Sequence, residues 1–268
     1  MSSLKKLVSE LEKKKVYFFD LDGTIYLGNQ LFRGAIELVE ILNEAEIPFF
    51  FLSNNSSKST SDYIKKLNDL KLNVTPKNLI LSQHPTIDYL KSENYKKIFL
   101  LGTESLKREF QQEGFILTDN NPDIVVLAFD QELTYERLVK TSYMIQEGLP
   151  YIATHLDDRC PTETGYIPDA GGIAALLFKA TEKMPRVFGK PNKEMLLFKL
   201  RELEIKPKDA IMFGDRLYTD IKMGIDAGVT TCCVLSGETS LEMIERSEKN
   251  KPDYVIDGIW DISELLKK

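Results

Sequence analysis

The stretch Val16-Tyr17-Phe18-Phe19-Asp20-Leu21-Asp22-Gly23-Thr24 runs from four apolar residues straight into two carboxylates and a glycine. Four apolar residues without polar alternation read as a strand buried on both faces, the kind found inside a parallel sheet. Two carboxylates two residues apart at its end are costly unless a cation offsets their charge. Gly23 permits a sharp turn that presents backbone amides to an anion. With a divalent metal neutralising the pair, one carboxylate is free to attack phosphorus and the other to give and take the proton. The plain alternative for these residues is a solvated Asp-Gly turn after an edge strand.

Outward from this stretch, apolar bursts alternate with helical-period segments along almost the whole chain. Strands are predicted at 48–52, 97–101, 124–128, 151–153, 210–213, 231–235 and 254–256. Helices are predicted at 35–45, 59–70, 134–146, 171–180, 193–203 and 240–245. Strands that alternate with helices in this way build an α/β fold on a parallel sheet. No linker rich in Gly, Pro or Ser divides the 268 residues.

Three more polar clusters each lie near the end of an apolar run, and in open α/β sheets ligands bind at the carboxyl ends of strands. Ser53-Asn54-Asn55-Ser56 offers a hydroxyl and an amide that can donate to phosphate oxygens, or cap an ordinary helix. Gly189-Lys190-Pro191 holds one lysine able to pair with a nucleophile and a transferring phosphoryl group, although a lone lysine is more often a surface charge. In Gly214-Asp215-Arg216-Leu217-Tyr218-Thr219-Asp220, Asp215 can bind a hard cation while Asp220 orders the lysine or a metal-bound water. Asp220 could equally serve only the helix N-terminus.

In this order, the four clusters resemble the signatures of the haloacid dehalogenase superfamily. The long insertion between the second and third resembles the α/β cap of the branch containing p-nitrophenyl phosphatases and sugar- or nucleotide-phosphate phosphatases. The resemblance implies a Rossmann-like parallel-sheet core at 1–82 and 184–268, with an α/β cap domain inserted at 83–183. It implies hydrolysis of a small-molecule phosphate monoester through an aspartyl phosphate, with Asp20 as nucleophile, Asp22 as acid/base and Lys190 as the neutralising charge. Mg²⁺ would be held by Asp20, the backbone carbonyl of Asp22 and Asp215, with Asp220 in support. Gly23, Ser53 and Asn54 would contact the phosphate. His155 and Arg159, in the cap, would reach the rest of the substrate, although His155 could instead anchor its loop and Arg159 face solvent. His155-Leu156-Asp157 and Pro168-Asp169 depart from the Asn-Pro-Asp or His-Pro-Asp and Pro-Gly patterns of many relatives. Asp22 favours phosphoryl transfer over dehalogenation. A phosphotransferase or mutase using the same nucleophile is the nearest alternative, and a non-catalytic phosphometabolite-binding regulator the next.

Composition narrows the rest. With 35 basic and 41 acidic residues the net charge is −6, and there is no basic block to track a nucleic-acid backbone. No apolar run approaches the roughly 18 to 20 residues needed to cross a bilayer, and the N-terminal segment lacks the apolar stretch of a signal peptide. The expected setting is therefore the cytoplasm, with no nucleic-acid or membrane partner, and with room left for a homo-oligomer. Three cysteines, two of them adjacent at Cys232-Cys233, suit free thiols and neither a disulfide framework nor a Cys-x-x-Cys metal site.

Overall fold

A computed structural model describes residues 2–162 and 164–267. The chain folds as two compact units, one of 1–53, 64–80 and 190–268 and the other of 54–63 and 81–189.

The first unit is built on a six-stranded sheet with the order Tyr254–Ile256, Thr230–Val234, Ala210–Gly214, Val16–Asp20, Phe49–Ser53, Leu79–Leu81. Val16–Asp20 pairs in parallel with Ala210–Gly214 on one side and Phe49–Ser53 on the other. All three strands are buried at every position, which explains why their sequences are apolar runs and not alternations. Aromatic contacts lock the register: Phe19 stacks on Phe213 at 4.9 Å and Phe18 on Phe50 at 5.6 Å between ring centroids. Beneath one face, Phe18, Phe50, Met195, Leu196, Leu200 and Met212 share a core. This packing fixes the carboxyl ends of three neighbouring strands, where the polar clusters begin.

The second unit has its own five-stranded sheet, in the order Arg186–Val187, Tyr151–Ala153, Ile124–Leu127, Lys97–Leu101, Ile116–Leu117, with every pairing parallel. Separate apolar clusters cover it, one around Leu100, Phe110 and Val126, the other around Leu127, Tyr151 and Leu177. An antiparallel hairpin, Arg159–Thr162 with Gly165–Pro168, is appended.

Residues 54–63, which the sequence assigned to the core, group with the second unit. Side-chain hydrogen bonds explain the shift. Ser56 Oγ accepts the Phe129 N–H at 3.0 Å and lies 2.9 Å from Thr154 Oγ1. Thr103 Oγ1 donates to the Ser57 carbonyl at 2.8 Å. Glu109 accepts both the backbone N–H and the hydroxyl of Thr60, at 2.8 and 2.6 Å. Residues 81–82 and 184–189 also fall in this unit. No helix among the described residues is long and apolar enough to cross a membrane.

Candidate active site

Asp20 is the last residue of the central Val16–Asp20 strand and is 6% exposed. Lys190, equally buried, donates to Asp20 Oδ1 and, at 2.8 Å, to Asp220 Oδ1. Asp220 sits in a π-helical turn, Leu217–Ile221, that follows the Ala210–Gly214 strand. The widened turn brings its second oxygen to the Arg216 N–H at 3.2 Å. Both Asp220 oxygens are thus engaged by donors, which makes it a support for Lys190 and for the chain around Arg216.

Asp215 leaves the end of the Ala210–Gly214 strand and is 2% exposed. Its Oδ2 accepts the Glu238 N–H at 2.7 Å, while its buried Oδ1 has no hydrogen-bond partner among the described residues. Oxygen atoms of Asp20, Asp215 and Asp220 all lie within 4.8 Å of one another. Three carboxylates therefore cluster at one point, two of them bonded to Lys190. Burial, then the charges of Asp220 and Asp215, push the Asp20 carboxyl well above its ordinary range, and Lys190 pulls against them. Burial and Asp220 push Asp215 up to about 6. Burial disfavours the ammonium of Lys190, but Asp20 and Asp220 more than offset this and keep it protonated. This excess of negative charge, an all-oxygen donor set and the orphaned Asp215 Oδ1 fit a hard divalent cation.

Asp22 lies beyond the strand end and is exposed, with Oδ2 accepting from the Tyr26 hydroxyl at 3.2 Å. An exposed carboxylate two residues from a buried one has the solvent access that proton exchange requires. Gly23 takes a left-handed φ of +87°, and a Cβ there would lie 2.5 Å from Asp215 Oδ2. Its N–H, expected to face a phosphate, donates instead to the Tyr26 carbonyl at 2.8 Å. The visible work of Gly23 is to close the turn and let Asp215 approach. Ser53 ends the Phe49–Ser53 strand, one residue beyond Leu52, the register partner of Asp20, and is buried.

The other three residues singled out from the sequence belong to the second unit. Asn54 Nδ2 donates to Asp157 Oδ1 at 2.9 Å, and its carbonyl accepts from Ser82 Oγ at 2.6 Å. His155 is fully buried, with Nδ1 accepting the Asp157 N–H at 3.3 Å and Nε2 3.5 Å from Asp169 Oδ1. Asp169 caps the helix Ala170–Thr181 through the Ala170 N–H. Such complete burial favours His155 as an anchor of its loop over the expected substrate contact. Arg159 is exposed, its guanidinium 4.3 Å from the centre of the Tyr166 ring in the same hairpin.

Sequence reasoning missed the segment Ser236-Gly237-Glu238-Thr239, which follows the Thr230–Val234 strand and closes on Asp215. Besides the Glu238 N–H, the Thr239 N–H donates to the Asp215 carbonyl at 3.2 Å, and Ser236 Oγ donates to the Gly23 carbonyl at 2.7 Å. The readable signal was a Ser-Gly pair at the end of another strand of the same sheet.

Two family profiles match the chain, a haloacid dehalogenase-like hydrolase over residues 17–116 and a HAD-hydrolase-like family over 187–262. An acid sugar phosphatase of Staphylococcus haemolyticus is 31% identical over 260 residues, covering 96% of this chain and 98% of the relative. The chain belongs to the haloacid dehalogenase-like hydrolases. Among solved structures, a 4-nitrophenylphosphatase from Thermotoga maritima is similar with a TM-score of 0.91 and 39% identity, covering 95% of this chain and 98% of the other. A glycerol phosphate phosphatase from Mycobacterium tuberculosis, in complex with magnesium, has a TM-score of 0.87 and 27% identity, covering 96% of this chain and 79% of its own. Within this hydrolase family the chain is a phosphatase, which sets aside the non-catalytic regulator.

Proposed function

We propose that this haloacid dehalogenase-like phosphatase hydrolyses small phosphate monoesters through an aspartyl phosphate on Asp20, with Mg²⁺ as cofactor. The observation that carries the reading is the buried Lys190 shared by Asp20 and Asp220 beside the unpartnered Oδ1 of Asp215. Asp20, Asp215 and the Asp22 carbonyl would hold the cation. When bound, it supplies positive charge that offsets the clustered carboxylates and the phosphoryl oxygens.

Asp20 attacks phosphorus, and the bond to the leaving alcohol breaks as Asp22 delivers a proton to that oxygen. Asp22, now ionised, takes a proton from water, which attacks the acyl phosphate and returns Asp20. Lys190 favours the ionised form of Asp20 and faces the developing charge, with Asp220 fixing its position. Ser53, at the end of the Phe49–Ser53 strand, offers a donor to the phosphate. Relatives named for acid sugar, glycerol and 4-nitrophenyl phosphates support a compact monoester as substrate. A cytoplasmic setting agrees with Cys232 and Cys233 as buried thiols.

Hydrolysis of p-nitrophenyl phosphate with Mg²⁺, and after chelation by EDTA, tests the reading. The expected result is turnover that EDTA abolishes and Mg²⁺ restores. Unchanged turnover in metal-free buffer would contradict it.

A further inference from the structure

Glu238 is tied to the site at both ends. Its backbone N–H holds Asp215 Oδ2 at 2.7 Å. Its Oε2 forms an ion pair with Arg216 Nε at 3.1 Å and accepts a hydrogen bond from the Tyr218 hydroxyl at 3.1 Å. Arg216 is the residue after Asp215, so the contacts form a closed ring. The residue whose N–H holds Asp215 also pairs, through its carboxylate, with the side chain of the residue next to Asp215 in the chain. Gly237 makes the approach feasible, because a Cβ at that position would fall 2.0 Å from Asp215 Oδ2.

A backbone N–H positions a carboxylate only as well as its loop is held. The Ser236 hydroxyl and the Thr239 N–H hold the loop on either side, and the Arg216 and Tyr218 contacts orient Glu238 itself, so that without them its N–H can tilt away from Asp215 Oδ2. Asp215 could then rotate, and the oxygen left without a donor would no longer be assigned in advance.

We infer that Glu238 is a positioning residue for the cation site. By holding Oδ2 of Asp215, it commits Oδ1 to the cation. The inference rests on the proposal above that Asp215 is a metal ligand. Outer contacts of this kind commonly change metal affinity by roughly 10- to 100-fold when removed.

Titrating Mg²⁺ into the metal-free full-length protein by calorimetry, without substrate, provides the test. Glu238→Ala should weaken Mg²⁺ binding by about tenfold or more, while the metal-free melting temperature and circular dichroism stay near wild type. Glu238→Gln, which keeps most of the shape, decides by the same threshold if Glu238→Ala fails to fold. Because loss of Glu238 also leaves Arg216 uncompensated near Asp215, the pair Glu238→Gln with Arg216→Gln separates charge from positioning. Positioning predicts that the double variant remains weak, and recovery of wild-type affinity would overturn it. Wild-type Mg²⁺ affinity in the Glu238 variants would overturn this inference and leave the proposed function standing. A wild-type protein that binds no Mg²⁺, or an Asp215→Asn variant that binds it undiminished, would overturn both.

Discussion

Lys190 Nζ lies 2.8 Å from Asp220 Oδ1 while donating a second hydrogen bond to Asp20, so one buried ammonium spans two buried carboxylates. Without that ammonium, burial would leave Asp20 favouring its neutral form. The proposed nucleophile depends on this shared lysine to remain charged.

Lys190→Met should therefore move the acid limb of the pH profile for kcat/KM to higher pH. Attack requires ionised Asp20, burial already raises its pKa, and Lys190 is the charge that opposes the rise. Removing it should shift the limb by on the order of one pH unit and depress every substrate together by about a hundredfold. Assays across pH at saturating Mg²⁺ check this, and an unmoved acid limb would contradict it.

Glu109 governs the second unit in a different way. Burial pushes its carboxyl up, but hydrogen bonds from His84 and Thr60 outweigh that and hold it below its ordinary 4.5. A carboxylate with a depressed folded pKa contributes stability that is present above the unfolded value and is lost as pH falls through the folded one. Glu109→Ala leaves the Thr60 N–H and hydroxyl without their acceptor and should cost about 1–3 kcal/mol at neutral pH. Glu109→Gln should cost less, and its difference from wild type should shrink as the pH drops below 4.5. Denaturant melts at neutral and acidic pH measure both, and a Glu109→Gln penalty independent of pH would refute the assignment.

The sheet of the first unit was readable because its central strands are buried on both faces, so Val16–Asp20 and Ala210–Gly214 carry uninterrupted apolar runs. Leu79–Leu81 escaped notice. It is three residues long, follows a 3₁₀ turn and runs directly into a helix with Pro85 in its first turn. Asp20, Lys190, Asp215 and Asp220 could be singled out because their charges are unusual at the ends of apolar runs. The Ser236–Thr239 loop carries a weaker signal, a Ser-Gly pair at a strand end, because it holds Asp215 through the backbone N–H groups of Glu238 and Thr239 and not through a charged side chain. Residues 54–63 group with the second unit for a related reason. Serines and threonines there read as a generic strand-to-helix turn, whereas Ser56, Ser57 and Thr60 are used as specific hydrogen-bonding groups for the second unit.

The central claim is that Asp20 carries the phosphoryl group. Mixing the Mg²⁺-loaded protein with p-nitrophenyl phosphate, quenching in acid within the first turnovers and measuring the intact and peptide masses tests it most directly. The account predicts a mass gain of one phosphoryl group that maps to Asp20, persists longer in Asp22→Asn because water is no longer activated, and is absent from Asp20→Asn. A phosphoryl group trapped on Asp20→Asn, or mapped in the wild type to any other residue, would contradict it.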